Sequence, residues 1–222
     1  MAKRSGSARD RDSLDDESVS LWGGELNEVP RGILVSAVRC FAASGFHATT
    51  TRDIATRTGL SPAALYVHFP SKEHVLFEIV LAGHRHALAA VEEAAAASVD
   101  PAPRLHGLVS AFVSWHARHH VVGRVCQYEM HALAPEHHAE IREIRREFNA
   151  VFGDAVGAGI GDGSFAPVDE GRVVRALLSL GIDVVRWYGH DGPDSPEQLG
   201  HFYAGLALNM VAAPVGLPPT SG

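Results

Sequence analysis

The sequence predicts an all-α protein, with a small N-terminal three-helix unit followed by a larger helical body. Three observations carry this prediction. Apolar residues recur at i, i+3, i+4 spacing through most of the chain, and no segment alternates apolar and polar residues as a half-buried strand would. Starting and stopping residues punctuate that periodicity, with Thr50, Ser61 and Ser71 ahead of apolar runs and Gly45 and Gly59 behind them. Asp100, Pro101 and Pro103 then break the chain between the N-terminal helices and the rest.

Composition bounds the possibilities. A chain of 222 residues with 46% hydrophobic content can bury a substantial core. No apolar run reaches the roughly 18 residues that span a bilayer, and Met1 is followed by charged and small residues, unlike a signal peptide. Cys40 and Cys126 lie far apart and form no C-x-x-C pattern, so a reducing cytoplasmic setting is expected. The net charge of −7 lies mainly outside residues 28–84. There Arg31, Arg39, Arg52, Arg57 and Lys72 stand against Glu28, Asp53, Glu73 and Glu78, a balance of +1.

Residues 1–26 mix charge, Ser and Gly and are expected to form a disordered arm. Lys3, Arg4, Arg9 and Arg11 would suit a minor groove, but Asp10, Asp12, Asp15, Asp16 and Glu17 favour a solvated tail. The first helix is expected from Asn27 or Pro30 to Ser44, with Ile33, Leu34, Ala37, Val38 and Phe41 inward and Cys40 in core packing beside them. Thr50 and Asp53 form a capping-box pattern opening a second helix, which Gly59 ends by taking a left-handed conformation. Leu60 is the expected plug of the turn, Ser61 caps a third helix, and Pro62 takes its first position. Ala63 and Ala64 leave that helix nearly bare, so its backbone can approach a flat partner, while Leu65 and Phe69 face inward. Residues 27–72 thus form one unit, with the fourth helix, starting at Ser71, continuing from it to about residue 84 and beyond.

These residues make a helix-turn-helix, and the segment resembles the DNA-binding domain of the TetR family of transcriptional regulators. The resemblance rests on T-x-R-D-I-A, the G-L-S turn, L-Y-x-H-F and S-K-E, in order from about Arg31 to Val80. It implies phosphate contacts from Thr50 or Thr51, Tyr66, His68 and Lys72. Base-edge contacts would come from the start of the third helix, at Ser61, Ala63 and Ala64, with Pro62 beside them at the DNA and Arg52 in reach of either. Alanines can touch only thymine methyls, so DNA shape is expected to share the discrimination.

The body, residues 85–213, is expected to hold a helix around Leu105–His116 and a short one near Arg124–Ala132. A longer helix starts at Pro135, its Arg142–Glu147 stripe solvated, and ends in the glycines of Gly157–Gly163. Asp169–Tyr188 and Pro196–Val211 follow as an antiparallel pair, and residues 214–222 are a disordered tail. The last two helices are apolar on more than one face, so a homodimer through them, reading a palindromic operator, is expected. TetR-like proteins pair the same way. Polar and aromatic residues in apolar runs (Trp115, His116, His119, Gln127, Tyr128, Glu129, Arg186 and Trp187) are the candidate effector contacts.

The V-R-W-Y segment, the following G-P, the Q-L-G-x-x-Y spacing and the G-x-G-x-F ending of Gly157–Phe165 resemble a TetR subgroup controlling lipid and steroid degradation. That implies an acyl-coenzyme A effector that releases the protein from DNA, with no cofactor. A drug-responsive repressor of efflux pumps is the alternative within the family, and a helical metal-binding or catalytic protein the alternative outside it. His116 and His120 are i, i+4, but the third ligand, Glu129 or Cys126, is fixed by no metal-site spacing. H-E-x-x-H, G-x-S-x-G and Walker patterns are absent, so neither metal nor enzyme activity is expected.

Overall fold

A computed structural model describes residues 21–22 and 26–212. Nine α-helices are present among the described residues, and no strand. Helix α1 (Glu28–Ser44) buries Ile33, Leu34, Ala37, Val38 and Phe41 and stops at Gly45, whose φ of 79° suits a residue without Cβ. Helix α2 (Thr51–Thr58) opens on the expected capping box: Thr50 Oγ1 accepts from the Asp53 amide at 3.2 Å, and Asp53 Oδ2 accepts from the Thr50 amide at 2.8 Å. Gly59 is left-handed (φ 70°), and Ser61 caps α3 (Pro62–His68) by accepting from the Ala64 amide. Leu65 is the buried anchor of α3, while Leu60 is only half-buried. Ser71 accepts from the His74 amide and starts α4 (Lys72–Ala96), which runs from this head into the body.

The body continues with α5 (Pro101–Arg118), α6 (His120–Tyr128), a 3-10 turn (Met130–Ala132), α7 (Pro135–Gly161), α8 (Glu170–Trp187) and α9 (Pro196–Val211). Helix α5 is central, packing on α4, α7, α8 and α9, while α6 reaches back to α1 and touches α8 and α4. Three of the close crossings around α6 and α8 hold a glycine at the contact. A Cβ on Gly83 of α4 would lie 2.9 Å from Cys126 Sγ of α6, and one on Gly123 of α6 would lie 2.6 Å from Val185 Cγ1 of α8. On Gly181 of α8 it would lie 2.5 Å from the Phe112 ring of α5.

Several expectations need correction. Leu21 and Trp22, assigned to a disordered arm, are helical and buried at 3% and 4% exposure, because an adjacent Leu-Trp pair gains from covering core surface. The rest of the arm up to residue 25, the groove-seeking cations at its start, and the 214–222 tail lie outside the described residues. Helix α6 begins at His120, not near Arg124, since Val121, Val122 and Val125 extend the apolar stripe and the chain merely bends at His119. Helix α7 continues through Gly157 to Gly161. The glycine at 159 is a packing residue whose Cβ would strike the Phe165 ring at 2.1 Å, and the turn falls at Gly163, with φ 82°. Helix α9 packs along α5 more than along α8, with the Ser114 hydroxyl donating to Pro196 O at 3.0 Å.

Gly123→Ala drives a methyl into Val185, which is 1% exposed and β-branched, and is expected to destabilise by about 1–3 kcal/mol. Gly32→Ala, in α1 with nothing within 4 Å, is expected to stabilise by about 0.5–1 kcal/mol. Urea unfolding of the two variants checks this reversal of sign.

Candidate functional site

The outer edge of the head is α3. Ser61, Pro62 and Ala63 are exposed, Ala64 is half-buried, and Tyr66, Val67 and His68 stand in solvent, Val67 at 80% exposure. Thr50 and Arg52 are exposed beside them and Thr51 is half-buried. The Thr50 hydroxyl donates to Asp53 Oδ2 at 2.7 Å, and its hydrogen bonds hold the Asp53 carboxyl below the usual carboxylate range.

Lys72 is placed differently from the outward phosphate contact that the sequence suggested. Its ammonium donates to Phe46 O at 2.7 Å and Thr49 O at 2.6 Å and lies 4.1 Å from the Phe46 ring centroid. Burial lowers its pKa, and the Asp53 charge works against that. Two of its three protons therefore hold the corner between α1 and α2.

The same corner is held from the body. Glu129, which ends α6, accepts from the Phe46 amide through Oε2 at 2.9 Å. A second carboxylate joins the parts at the start of α4: Glu73 Oε1 accepts from the Ala134 amide at 2.8 Å and meets His137 Nδ1 at 2.8 Å. His137 stacks flat on Phe77, with centroids 3.8 Å apart.

Within the body, α4, α5, α6, α7 and α8 line a partly open cavity of about 280 Å³. Its wall is mainly apolar, with Phe112, Trp115, Phe148, Leu178 and Ile182 among its residues. The polar part is His84, His116, Gln127, Arg145 and Asn149. His84 Nδ1 lies 2.8 Å from Val80 O and His116 Nδ1 lies 2.7 Å from Phe112 O. A carbonyl can only accept, so both Nδ1 atoms carry the proton and both Nε2 atoms are acceptors. Burial pushes both imidazoles down to about 4, partly offset by those backbone bonds, so they are neutral near pH 7. Arg145 donates to Gln127 Oε1 at 3.2 Å and keeps its charge despite partial burial. The Cys126 thiol, pushed up to about 12 by burial, stays protonated.

Of the candidate effector residues, Trp115, His116 and Gln127 line this cavity. Tyr128 and Arg186 line a smaller one of about 210 Å³ that shares Gln127 and Ile182 with it. His119 is buried behind the wall, its ring 4.8 Å from Trp115, and Trp187 is exposed. Glu129 belongs to the head contact and not to the wall. His84, Arg145 and Asn149 are the polar wall residues absent from those candidates, and Arg145 is the one with a signal in the sequence. Its neighbours Arg142, Glu143, Arg146 and Glu147 are exposed, whereas Arg145 shares a face with Ile141 and Phe148. That i, i+3, i+4 relation was the available signal. Among the described residues no three His, Cys, Asp or Glu side chains gather as metal ligands, and no helix is long and apolar enough to cross a membrane.

A helix-turn-helix head with a bare, exposed α3, carried on a helical body with an internal cavity, defines a DNA-binding regulator. Residues 33–79 match the family described as bacterial regulatory proteins, tetR family, and residues 98–211 match the Tetracyclin repressor-like C-terminal domain. The chain belongs to the TetR family and is a sequence-specific, DNA-binding transcriptional regulator. It is similar to the HTH-type transcriptional repressor KstR2 of Mycobacterium tuberculosis, 30% identical over 190 residues that cover 85% of this chain and 95% of that one. The solved ketosteroid transcriptional regulator KstR2 of that organism superposes with a TM-score of 0.79 at 29% identity, over 86% of this chain and 98% of that one. A tetR-family regulatory protein from Rhodococcus RHA1 is 41% identical with a TM-score of 0.80, over 85% and 99% of the two chains. AibR, solved with isovaleryl coenzyme A and operator DNA, shares the fold at 23% identity and a TM-score of 0.73, over 81% and 97%.

His84, His116 and His119 all sit near 4 in the folded chain, against 6.5 unperturbed, chiefly through burial. The unfolded state therefore binds more protons between about pH 6.5 and 4. Stability is expected to be full above that window and to fall as the pH drops through it. Urea midpoints from pH 7.5 to 4.5 should show this slope, and His116→Gln should flatten it.

Proposed function

We propose that the protein is a cytoplasmic, homodimeric repressor that binds a palindromic operator through paired α3 helices and is released by an acyl-coenzyme A thioester. One observation carries the release mechanism: α6 serves both ends. Gln127 and Cys126 belong to the cavity wall, and two residues after Gln127 the Glu129 carboxylate holds the Phe46 amide of the head. A ligand that displaces α6 shifts the corner from which α2 starts, so ligand and DNA oppose each other through one conformational equilibrium.

Geometry narrows the ligand. A cavity near the lower end of the range for drug-sized sites suits a compact apolar acyl group. The polar remainder of a thioester leaves through the adjoining cavity beside Tyr128 and Arg186. Two Nε2 acceptors favour an acyl group carrying a hydroxyl, and Arg145 favours a carbonyl or anionic group nearby. The isovaleryl coenzyme A bound by AibR supports a thioester over a free drug.

Pairing is supported by the exposed apolar residues of α8 and α9, namely Leu180, Phe202, Leu206 and Met210, with Phe202 at 62% exposure. The head has a small net charge, so one copy alone holds DNA weakly.

Selecting operator sequences from a random DNA pool and titrating thioesters against the complex tests the whole reading. Release by thioesters, but not by free coenzyme A or by hydrophobic drugs, is the expected outcome; release by the drugs alone refutes the ligand class. Arg145→Ala is expected to raise the thioester concentration needed about tenfold or more and to leave operator affinity within twofold, the loss of one charged hydrogen bond. Phe202→Glu is expected to give a monomer by sedimentation and to weaken operator binding at least a hundredfold. Tyr66→Phe is expected to weaken it severalfold across all sequences.

A further inference from the structure

Helix α3 carries the most exposed apolar residue of the reading head. Val67 is 80% exposed and Tyr66 beside it 51%. Ala63 is also exposed, and it precedes Val67 by four residues. Positions i and i+4 lie one above the other on a helix, so these two side chains form a single outward strip. The other anchors point elsewhere: Leu65 is fully buried, and the Ser61 hydroxyl turns back to cap the Ala64 amide at 3.2 Å.

We infer that Ala63 and Val67 read the 5-methyl groups of two thymines in each operator half-site. The inference rests on the DNA-binding assignment of α3 and specifies what that helix recognises. The strip has no hydrogen-bonding atom, so it can tell base pairs apart only by apolar contact. In the major groove the one apolar group is the thymine methyl. Val67 offers two methyl groups at nearly full reach, and Ala63 offers one closer to the backbone. Four helical residues rise about 6 Å, against a spacing of about 3.4 Å per base along a strand. The two thymines therefore lie roughly two base steps apart. Tyr66 and His68 flank the strip and are free to grip the phosphates on either side.

The test uses the full-length protein and the operator selected by it from random DNA. Each thymine is replaced in turn by uracil, which lacks only the methyl group. Wild-type affinity is expected to fall about fourfold, the worth of one buried methyl, at two positions per half-site about two steps apart. In Val67→Ala one of those two losses is expected to disappear while the other remains. Val67→Thr, which keeps the shape and one of the two methyls, checks that a folded head is being measured and is expected to retain part of that uracil penalty. Uracil tolerated everywhere by the wild type, or penalties unchanged in both variants, would overturn the methyl strip alone. A pool that yields no consensus would overturn the DNA-reading assignment itself.

Discussion

The grip on the corner between α1 and α2 is the contact on which the reading head depends. Phe46 is held at both of its backbone polar groups by opposite charges from different parts of the molecule. The Lys72 ammonium of α4 takes its carbonyl, and the Glu129 carboxylate at the end of α6 takes its amide. Hydrogen bonds to charged groups contribute roughly 1.5–3 kcal/mol each. The corner they fix is short: Gly45 turns the chain, the buried Thr49 hydroxyl donates to Gly45 O at 2.8 Å, and Thr50 opens α2. Everything that α2 and α3 present to a partner is oriented from here.

The cavity obeys a different economy. An apolar chamber inside a helical body needs no polar lining for stability, and each buried polar group there costs free energy unless paired. Here the polar groups are paired within the protein. His84 and His116 satisfy backbone carbonyls with Nδ1, while Arg145 has Gln127 as its partner. The wall is therefore organised before any ligand arrives, which lowers the ordering cost of binding.

Much of the head was legible in the sequence because its signals are local. The Thr50–Asp53 box, Gly59, Ser61 with Pro62, and Ser71 each act within four residues, and each appears where its spacing placed it. What was illegible is what tertiary contact decides. Gly159 looks like a helix stop until Phe165 is seen to occupy the space of its missing side chain. Lys72 looks like a phosphate ligand until its ammonium is found among the carbonyls of the corner. Arg145 sits in a run of exposed charges, and Glu129 sits beside candidate cavity residues. Their real neighbours, Gln127 and Phe46, are 18 and 83 residues away. No periodicity encodes such separations.

The three glycine crossings divide the body into a frame and a lining. Gly83, Gly123 and Gly181 fix how closely α4, α5, α6 and α8 approach, and that spacing leaves room for the chamber. Leu178, Ile182 and Phe148 merely face the space so created. Substitutions among the lining residues can reshape the chamber methyl by methyl while the crossings, and the connection from α6 to Phe46, stay as they are. Such a scaffold is evolvable: its chemical preference can drift across descendants while the frame around it is inherited intact.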